Sequence, residues 1–350
     1  MSYTNGLDNP ELFFQIVLYT GNGSNRTISY PNADADLDAD MIWIKQRSDA
    51  TSHTIFDTVR GAQKAIFPNN TNAETTRTDA ISAFGTDGFD LGANGDLNAN
   101  TETHVAWCWK AGGSSSSNSD GDITTTISAN TTSGISICKY SGNGSNDQEL
   151  GHGMNKIPDM WLIKRTDSAS TPNWVVGAKP LGFDDNYMHL NTTDAAASSI
   201  NSGTGTPTTS VFFVGDHASV NASGATYISY VFSSVQGFSK IGGSYVGNGS
   251  SDGTFVYTGF RPAMVIQKVS STTGSWHIHD SKRSINGTDK YLYPDTSEAE
   301  VSTTRMDFLS NGFKLRSDSS TWNGSGATFM YMAFAEAPFV NSKGVPANAR

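Results

Sequence analysis

The chain has 350 residues and a net charge of −10, with 16% charged residues, 36% hydrophobic residues and 35 glycines. This balance argues against a nucleic-acid partner, because phosphate binding needs clustered Lys and Arg and none occurs. No run approaches membrane-spanning length, so membrane insertion is not expected, and several small cores are expected rather than one.

The N-terminus, Met1 to Pro10, lacks the basic stretch and apolar core of a secretory signal, so synthesis as a soluble product in a cytoplasm is expected. The first element then opens on a hexapeptide that recurs three times: Tyr19-Thr-Gly-Asn-Gly-Ser24, Tyr140-Ser-Gly-Asn-Gly-Ser145 and Tyr245-Val-Gly-Asn-Gly-Ser250. About twenty residues on, each copy has an apolar run ending in lysine, at Asp40-Met-Ile-Trp-Ile-Lys45, Asp159-Met-Trp-Leu-Ile-Lys164 and Ala263-Met-Val-Ile-Gln-Lys268. These runs read as strands. An aromatic-rich strand with a basic turn follows at Thr54 to Gly61, Asn173 to Lys179 and Ser275 to Arg283, and then a polar surface loop at Phe67 to Glu74, Leu190 to Ala195 and Tyr293 to Glu300.

Phe84-Gly-Thr-Asp-Gly-Phe-Asp-Leu-Gly92 and Phe308-Leu-Ser-Asn-Gly-Phe-Lys-Leu-Arg316 set Asp-Gly or Asn-Gly between alternating apolar runs and predict hairpins. The middle copy has Val211-Phe-Phe-Val-Gly-Asp216 there. Each copy closes on a long strand of β-branched and aromatic residues after Asn98, Asn221 or Asn323. No stretch has a convincing amphipathic helix pattern.

The fold class is therefore all-β: three tandem antiparallel β-sandwich modules, jelly-roll or lectin-like, from internal triplication. Small globular domains in series are expected, with an interlocked arrangement as the alternative. The divisions are an N-terminal arm at 1–16, modules at 17–112, 135–238 and 239–336, a Gly/Ser-rich linker and β segment at 113–134, and a C-terminal arm at 337–350. The linker reads as flexible from its composition, although Asp122 to Gly134 has β character that could pair with a sheet. The short junction after the second module predicts tighter packing between the second and third.

Candidate sites are sparse. Asp34, Asp36, Asp38 and Asp40 alternate and could collect a cation, but the run lacks the glycine and glutamate of an EF-hand loop and reads first as a solvated acidic loop. Cys108 and Cys138 fall in apolar slots and are expected as buried free thiols. Among the histidines, His53, His104, His152, His189, His217, His277 and His279, the pair His277 and His279 shares a strand face, yet no spacing fits a metal site. Trp322 stands in a turn-forming stretch, either as an exposed contact or as a lid folded onto the module. The triplets at Asn22, Asn143, Asn191, Asn248 and Asn323 are read as chance matches to the glycosylation pattern. No nucleophile elbow occurs, no catalytic residue, metal or cofactor is assigned, and no binding residue can be named.

The run Asp40-Met-Ile-Trp-Ile-Lys-Gln-Arg-Ser48, with Phe56-Asp-Thr-Val-Arg-Gly61, Phe84 to Gly92 and Val105-Ala-Trp-Cys-Trp-Lys-Ala-Gly112, resembles a repeated β-domain of virion proteins from marine and freshwater tailed bacteriophages. Tyr3-Thr-Asn-Gly-Leu-Asp8, Ala333-Phe-Ala-Glu-Ala-Pro-Phe339 and Asn348-Ala-Arg350 extend the resemblance over nearly the whole chain. It implies a virion structural protein, a tail or tail-fibre component, assembled in the host bacterial cytoplasm and displayed on the virion surface. It implies no catalytic residues. Non-catalytic attachment to a host surface glycan or envelope protein is the first functional expectation. A capsid decoration protein clamping major capsid subunits is the alternative, and a surface polysaccharide hydrolase is a third reading, since glycosidases need only two carboxylates that sequence cannot place. Other virion proteins are the expected partners. Homotrimerisation is open, because three modules in one chain could substitute for it.

Overall fold

The computed structural model describes residues 7–167, 172–183, 186–198, 205–284 and 289–346. The terminal parts of the resemblance, 1–6 and 347–350, lie outside the described residues. The fold is all-β, its named strands pair antiparallel throughout, and the helical elements described are single turns such as Gly95–Asn98 and Ser320–Asn323.

The closing strands explain the organisation. In Thr103–Trp109, Val105, Trp107 and Trp109 point into one hydrophobic cluster while Ala106 and Cys108 point into another. Thr226–Phe232 divides in the same way, with Ile228, Tyr230 and Phe232 against Tyr227 and Val231, and Thr328–Pro338 with Met330, Met332 and Phe334 against Phe329, Tyr331 and Ala333. Side chains alternate across a strand, so a strand buried on both faces reads as a continuous apolar run.

Each closing strand sits inside a large sheet. The first sheet runs Phe14–Thr20, Thr103–Trp109, Met41–Gln46, Thr54–Asp57, Gly61–Ile66, Thr75–Thr76. The third repeats that order with Ser239–Val246, Thr328–Pro338, Phe260–Val269, His277–Asp280, Lys290–Leu292 and Val301–Ser302. The second has the same centre, Ile135–Ser141, Thr226–Phe232, Met160–Arg165, Val175–Ala178 and Met188–His189, and adds Thr125–Asn130 and Ser116–Asn118 beyond its opening strand. A small sheet covers each outer face. Two of these contain the hairpins expected from Asp-Gly and Asn-Gly, Ile81–Gly85 with Gly88–Leu91 and Met306–Leu309 with Gly312–Leu315. In the middle segment Val211–Val214 pairs instead with Gln148–Gly151.

The expectation of globular domains in series is corrected by the core. One cluster takes Trp43 and Trp107 from the first segment, Trp174 and Tyr230 from the second, and Trp276 and Phe334 from the third; three smaller clusters lie between each large sheet and its small one. Backbone bonds join the sheets in cyclic order. Glu74 N–H donates to the Thr166 carbonyl (2.9 Å), Ala196 N–H to Ser270 (2.8 Å) and Glu300 N–H to Arg47 (2.8 Å), so the third sheet returns to the first. Equivalent residues bond at each junction, because the loops after Gly61–Ile66, Met188–His189 and Lys290–Leu292 each reach the end of the lysine strand in the next sheet. Trp174 Nε1 donates to the Phe67 carbonyl and Trp276 Nε1 to His189, both at 2.8 Å, and the His53 ring faces the backbone of Tyr293.

Two boundaries also change. The stretch read as a flexible linker is ordered by backbone pairing: Ser116–Asn118 binds Thr125–Asn130, which in turn binds Ile135–Ser141 as its β character allowed. Gly112 is required there, since a Cβ would meet the Ala129 backbone at 2.4 Å. The N-terminal arm ends sooner than position 16, because Phe14 already pairs with Trp109 and Leu7 is buried in the shared core. The two ends of the described chain meet where Ser342 N–H and Oγ bond the Asp8 carboxylate.

Candidate functional site

The recurring hexapeptide is a structural clasp. Its tyrosine hydroxyl donates to a buried carbonyl, Tyr19 to Leu97 (2.7 Å), Tyr140 to Val220 (2.6 Å) and Tyr245 to Trp322 (2.9 Å). The ring stacks on the second residue of the closing strand, His104, Tyr227 or Phe329, at 4.9, 5.1 and 4.8 Å. A buried asparagine then fixes the loop: Asn98 Nδ2 donates to Asn22 Oδ1 (3.2 Å) and the Ser24 carbonyl (2.8 Å), Asn221 to Asn143 and Ser145, and Asn323 to Asn248 and Ser250. The second glycine has φ of +66°, +75° and +68° at Gly23, Gly144 and Gly249, the left-handed region that suits glycine. The tyrosine hydroxyl and the asparagine contacts of this motif thus hold the fold together.

The other sequence candidates are also absorbed. Asp40 is buried, accepting from Ala111 N–H (2.8 Å), Gly113 N–H (3.0 Å) and Thr58 Oγ1 (2.9 Å), and burial raises its pKa against those hydrogen bonds. Asp36 and Asp38 take left-handed backbone, so the alternating carboxylates do not form one extended face, and among the described residues no group of three or more His, Cys, Asp or Glu could hold a metal. Cys108 and Cys138 are buried and unpaired, and burial raises both thiols, Cys138 to about 12. Trp322 is the folded lid of the two readings: it is 3% exposed, with its ring 3.7 Å from His277. His279 Nδ1 bonds Asp289 Oδ1 at 2.9 Å, and burial holds His277 well below its usual pKa. This pocket of rings is closed to solvent.

The three lysines that end the apolar runs are buried. Lys45 Nζ donates to the Gln46 and Asp49 carbonyls, Lys164 to Thr71 and Pro172, and Lys268 to Thr192 and Gly274. Burial pushes each ammonium down to about 8. Two ion pairs are buried at the junctions between sheets. Asp57 accepts from Arg60 Nε (2.5 Å) and, from the second sheet, Tyr230 OH (2.6 Å); Asp280 accepts from Arg283 Nε (2.6 Å) and, from the first sheet, Trp107 Nε1 (3.0 Å). The equivalent residues at the remaining junction are Ala178, Leu181 and Met332, all apolar.

An open site lies where the second and third segments meet. A groove of about 590 Å³ is lined by Asp159 and Lys179 from one side and by Lys240, Ser244, Phe255, Tyr257 and Tyr331, among others, from the other. A bulge between Lys240 and Gly243 shapes its floor, and Gly242 has φ +57°. Gly243 leaves room for the hydroxyl end of Tyr331, which a Cβ would strike at 2.2 to 2.6 Å. Lys179 Nζ is 3.5 Å from Asp159 Oδ1 and is itself 70% exposed. Phe255 and Tyr257 stand on one face of the edge strand Phe255–Tyr257, 44% and 60% exposed. A second hollow adjoins over Ser234, Lys240 and Tyr257 and continues to Phe339 and Val340.

Sequence reasoning missed this groove. A signal was present in the comparison of copies: pairing with Phe89, Phe212 and Phe313 aligns Ile28, Leu150 and Val256, so Phe255 and Tyr257 take the places of Thr27 and Ser29 in the first copy and Glu149 and Gly151 in the second. Exposed aromatics replace polar or small residues in one of the three segments.

Among the described residues no helix is long and apolar enough to cross a membrane. Neither the curated proteins nor the solved structures contain a match to the chain. A single family model, described as a domain of unknown function (DUF7483), matches residues 9–338 and so spans all three large sheets and the junctions between them. The chain belongs to the DUF7483 family.

Proposed function

We propose that the chain is a structural protein of a bacteriophage virion, made by internal triplication of one β-sandwich module, and that it acts as a tail or fibre surface component binding the host without catalysis. The groove beside Phe255 and Tyr257 carries the binding reading. It is open, it joins large rings to a few polar groups, and it occurs where the threefold repetition fails. Its lining includes one carboxylate, Asp159, where glycoside hydrolysis uses two, so binding rather than bond cleavage is the chemistry we carry forward. The cyclic bonds among Glu74, Thr166, Ala196, Ser270, Glu300 and Arg47 support triplication into one pseudo-threefold body.

Those same bonds favour a second reading. A body with three near-equivalent sides suits a local threefold position on a capsid, where a decoration protein would clamp neighbouring major capsid subunits. Gold-labelled antibody on purified particles separates the two. Label on the tail or its fibres is the expected result; label spread over the head overturns attachment in favour of decoration, and unlabelled particles overturn both.

A further inference from the structure

We propose that the groove between the second and third segments binds an acidic saccharide, stacked on Tyr257 and Phe255 with its carboxylate or sulfate at Lys240. The inference rests on the reading of the protein as a non-catalytic binder and names the ligand class for that site.

Residues two apart on a strand share a face and lie roughly 7 Å apart. Phe255 and Tyr257 are so placed, on the free edge of a small sheet, and flank the groove as two exposed rings. Val256 between them is buried in the cluster between the third large sheet and its small one, so the backbone that carries the two rings is set before any ligand arrives. A sugar ring presents an apolar face edged by hydroxyls, and an aromatic ring offers a flat apolar partner to that face. Polar groups line the same groove for the hydroxyls: Ser244, Asp159, and the otherwise buried Tyr331, whose hydroxyl donates to none of the described residues.

Charge selects among saccharides. The chain carries −10 overall, yet the groove brings Lys179 and Lys240 together with one carboxylate, Asp159. Asp159 is within ion-pair distance of Lys179, whereas Lys240 is exposed and in no salt bridge among the described residues. A local positive site on an acidic protein attracts an anion by complementarity. The adjoining hollow shares Ser234, Lys240 and Tyr257, so the open surface continues past one of the stacking rings.

The test is calorimetric titration of the full chain with oligogalacturonate, a polyuronate, and with cello-oligosaccharide as a neutral control. Oligogalacturonate is expected to bind more tightly than the neutral chain. Tyr257→Ala and Phe255→Ala should each weaken binding about tenfold, while Lys240→Gln should remove the preference for the acidic ligand. Ser29→Ala, at the equivalent position of the first segment, should leave binding unchanged. Tyr257 and Lys240 are exposed, so thermal melts of these variants should match the parent and loss of binding cannot be ascribed to unfolding. No binding of either oligosaccharide at millimolar concentration, equal binding of both, or affinity indifferent to Tyr257→Ala and Lys240→Gln would each overturn the proposal. Tail label on virions without saccharide binding sinks this inference alone; saccharide binding with label on the head sinks the tail reading alone.

Discussion

At the residue scale, the strongest sequence signal and the open site are made of different residues. Asn98 is fully buried, and its amide holds Asn22, Ser24 and Gly92 together, with a carboxamide oxygen accepting from Asn22 N–H at 3.0 Å. Asn98→Ala leaves the buried Gly92 carbonyl and the part-buried Asn22 N–H and Ser24 carbonyl without partners and should cost about 3 kcal/mol in urea unfolding. Asn221→Ala and Asn323→Ala should cost somewhat less, because among the described residues they lack the bond equivalent to that with Gly92. A cost below about 0.5 kcal/mol at all three would mean that water replaces the amide. Tyr19→Phe removes a single hydrogen bond and should cost about 1 kcal/mol in the same measurement. The hexapeptide and the asparagine were both visible as recurring blocks. Their pairing was not, because 76 residues separate Asn22 from Asn98 and no local pattern records a contact at that distance.

At the element scale, strands were legible and their partners only partly so. Met41–Gln46, Met160–Arg165 and the closing strands follow apolar runs bounded by turn residues, and Asp-Gly and Asn-Gly placed both hairpins. Gly and Ser made residues 113–121 read as flexible. The backbone there is instead held by Asp40 and by an edge pairing that needs no particular side chain. The junctions between sheets are a further case. Asp57, Arg60 and Tyr230 form one buried polar group, while Ala178, Leu181 and Met332 fill the equivalent place at another junction. Removing one partner of a buried pair strands a charge, whereas replacing the whole group by apolar residues costs little. Asp57→Ala alone should therefore destabilise by about 4 kcal/mol, and Asp57→Ala/Arg60→Leu/Tyr230→Met should recover most of that loss in chemical denaturation. If the triple variant is as weak as the single one, the apolar junction depends on neighbours specific to its own side.

At the scale of the whole molecule, three sheets around one core make the titration of three equivalent lysines a property of the assembly. The shared core was hidden from sequence reading because a strand such as Thr103–Trp109 is apolar on both faces, and nothing in it tells which face meets the small sheet. Lys45, Lys164 and Lys268 lie at that level of organisation: Lys164 reaches a carbonyl of the first segment and Lys268 one of the second. Each is pushed from 10.5 down to about 8 by burial. Above pH 8 the folded protein releases these protons while the unfolded chain keeps them to about 10.5, so the unfolded state binds more protons and stability rises with pH. The limit is about 1.4 kcal/mol per pH unit for each lysine. Cys108 and Cys138 act in the opposite sense, because their buried thiols stay protonated while those of the unfolded chain ionise near 9, and the raised tyrosines add to them above about 10. Denaturant midpoints should accordingly increase from pH 8 to 9 and level off beyond, and Lys164→Met should remove about a third of the increase. A midpoint that is flat from pH 8 to 9 would show that the carbonyls around each ammonium hold its charge in the folded state, and the three lysines would then be buried cations rather than groups that lose charge on folding.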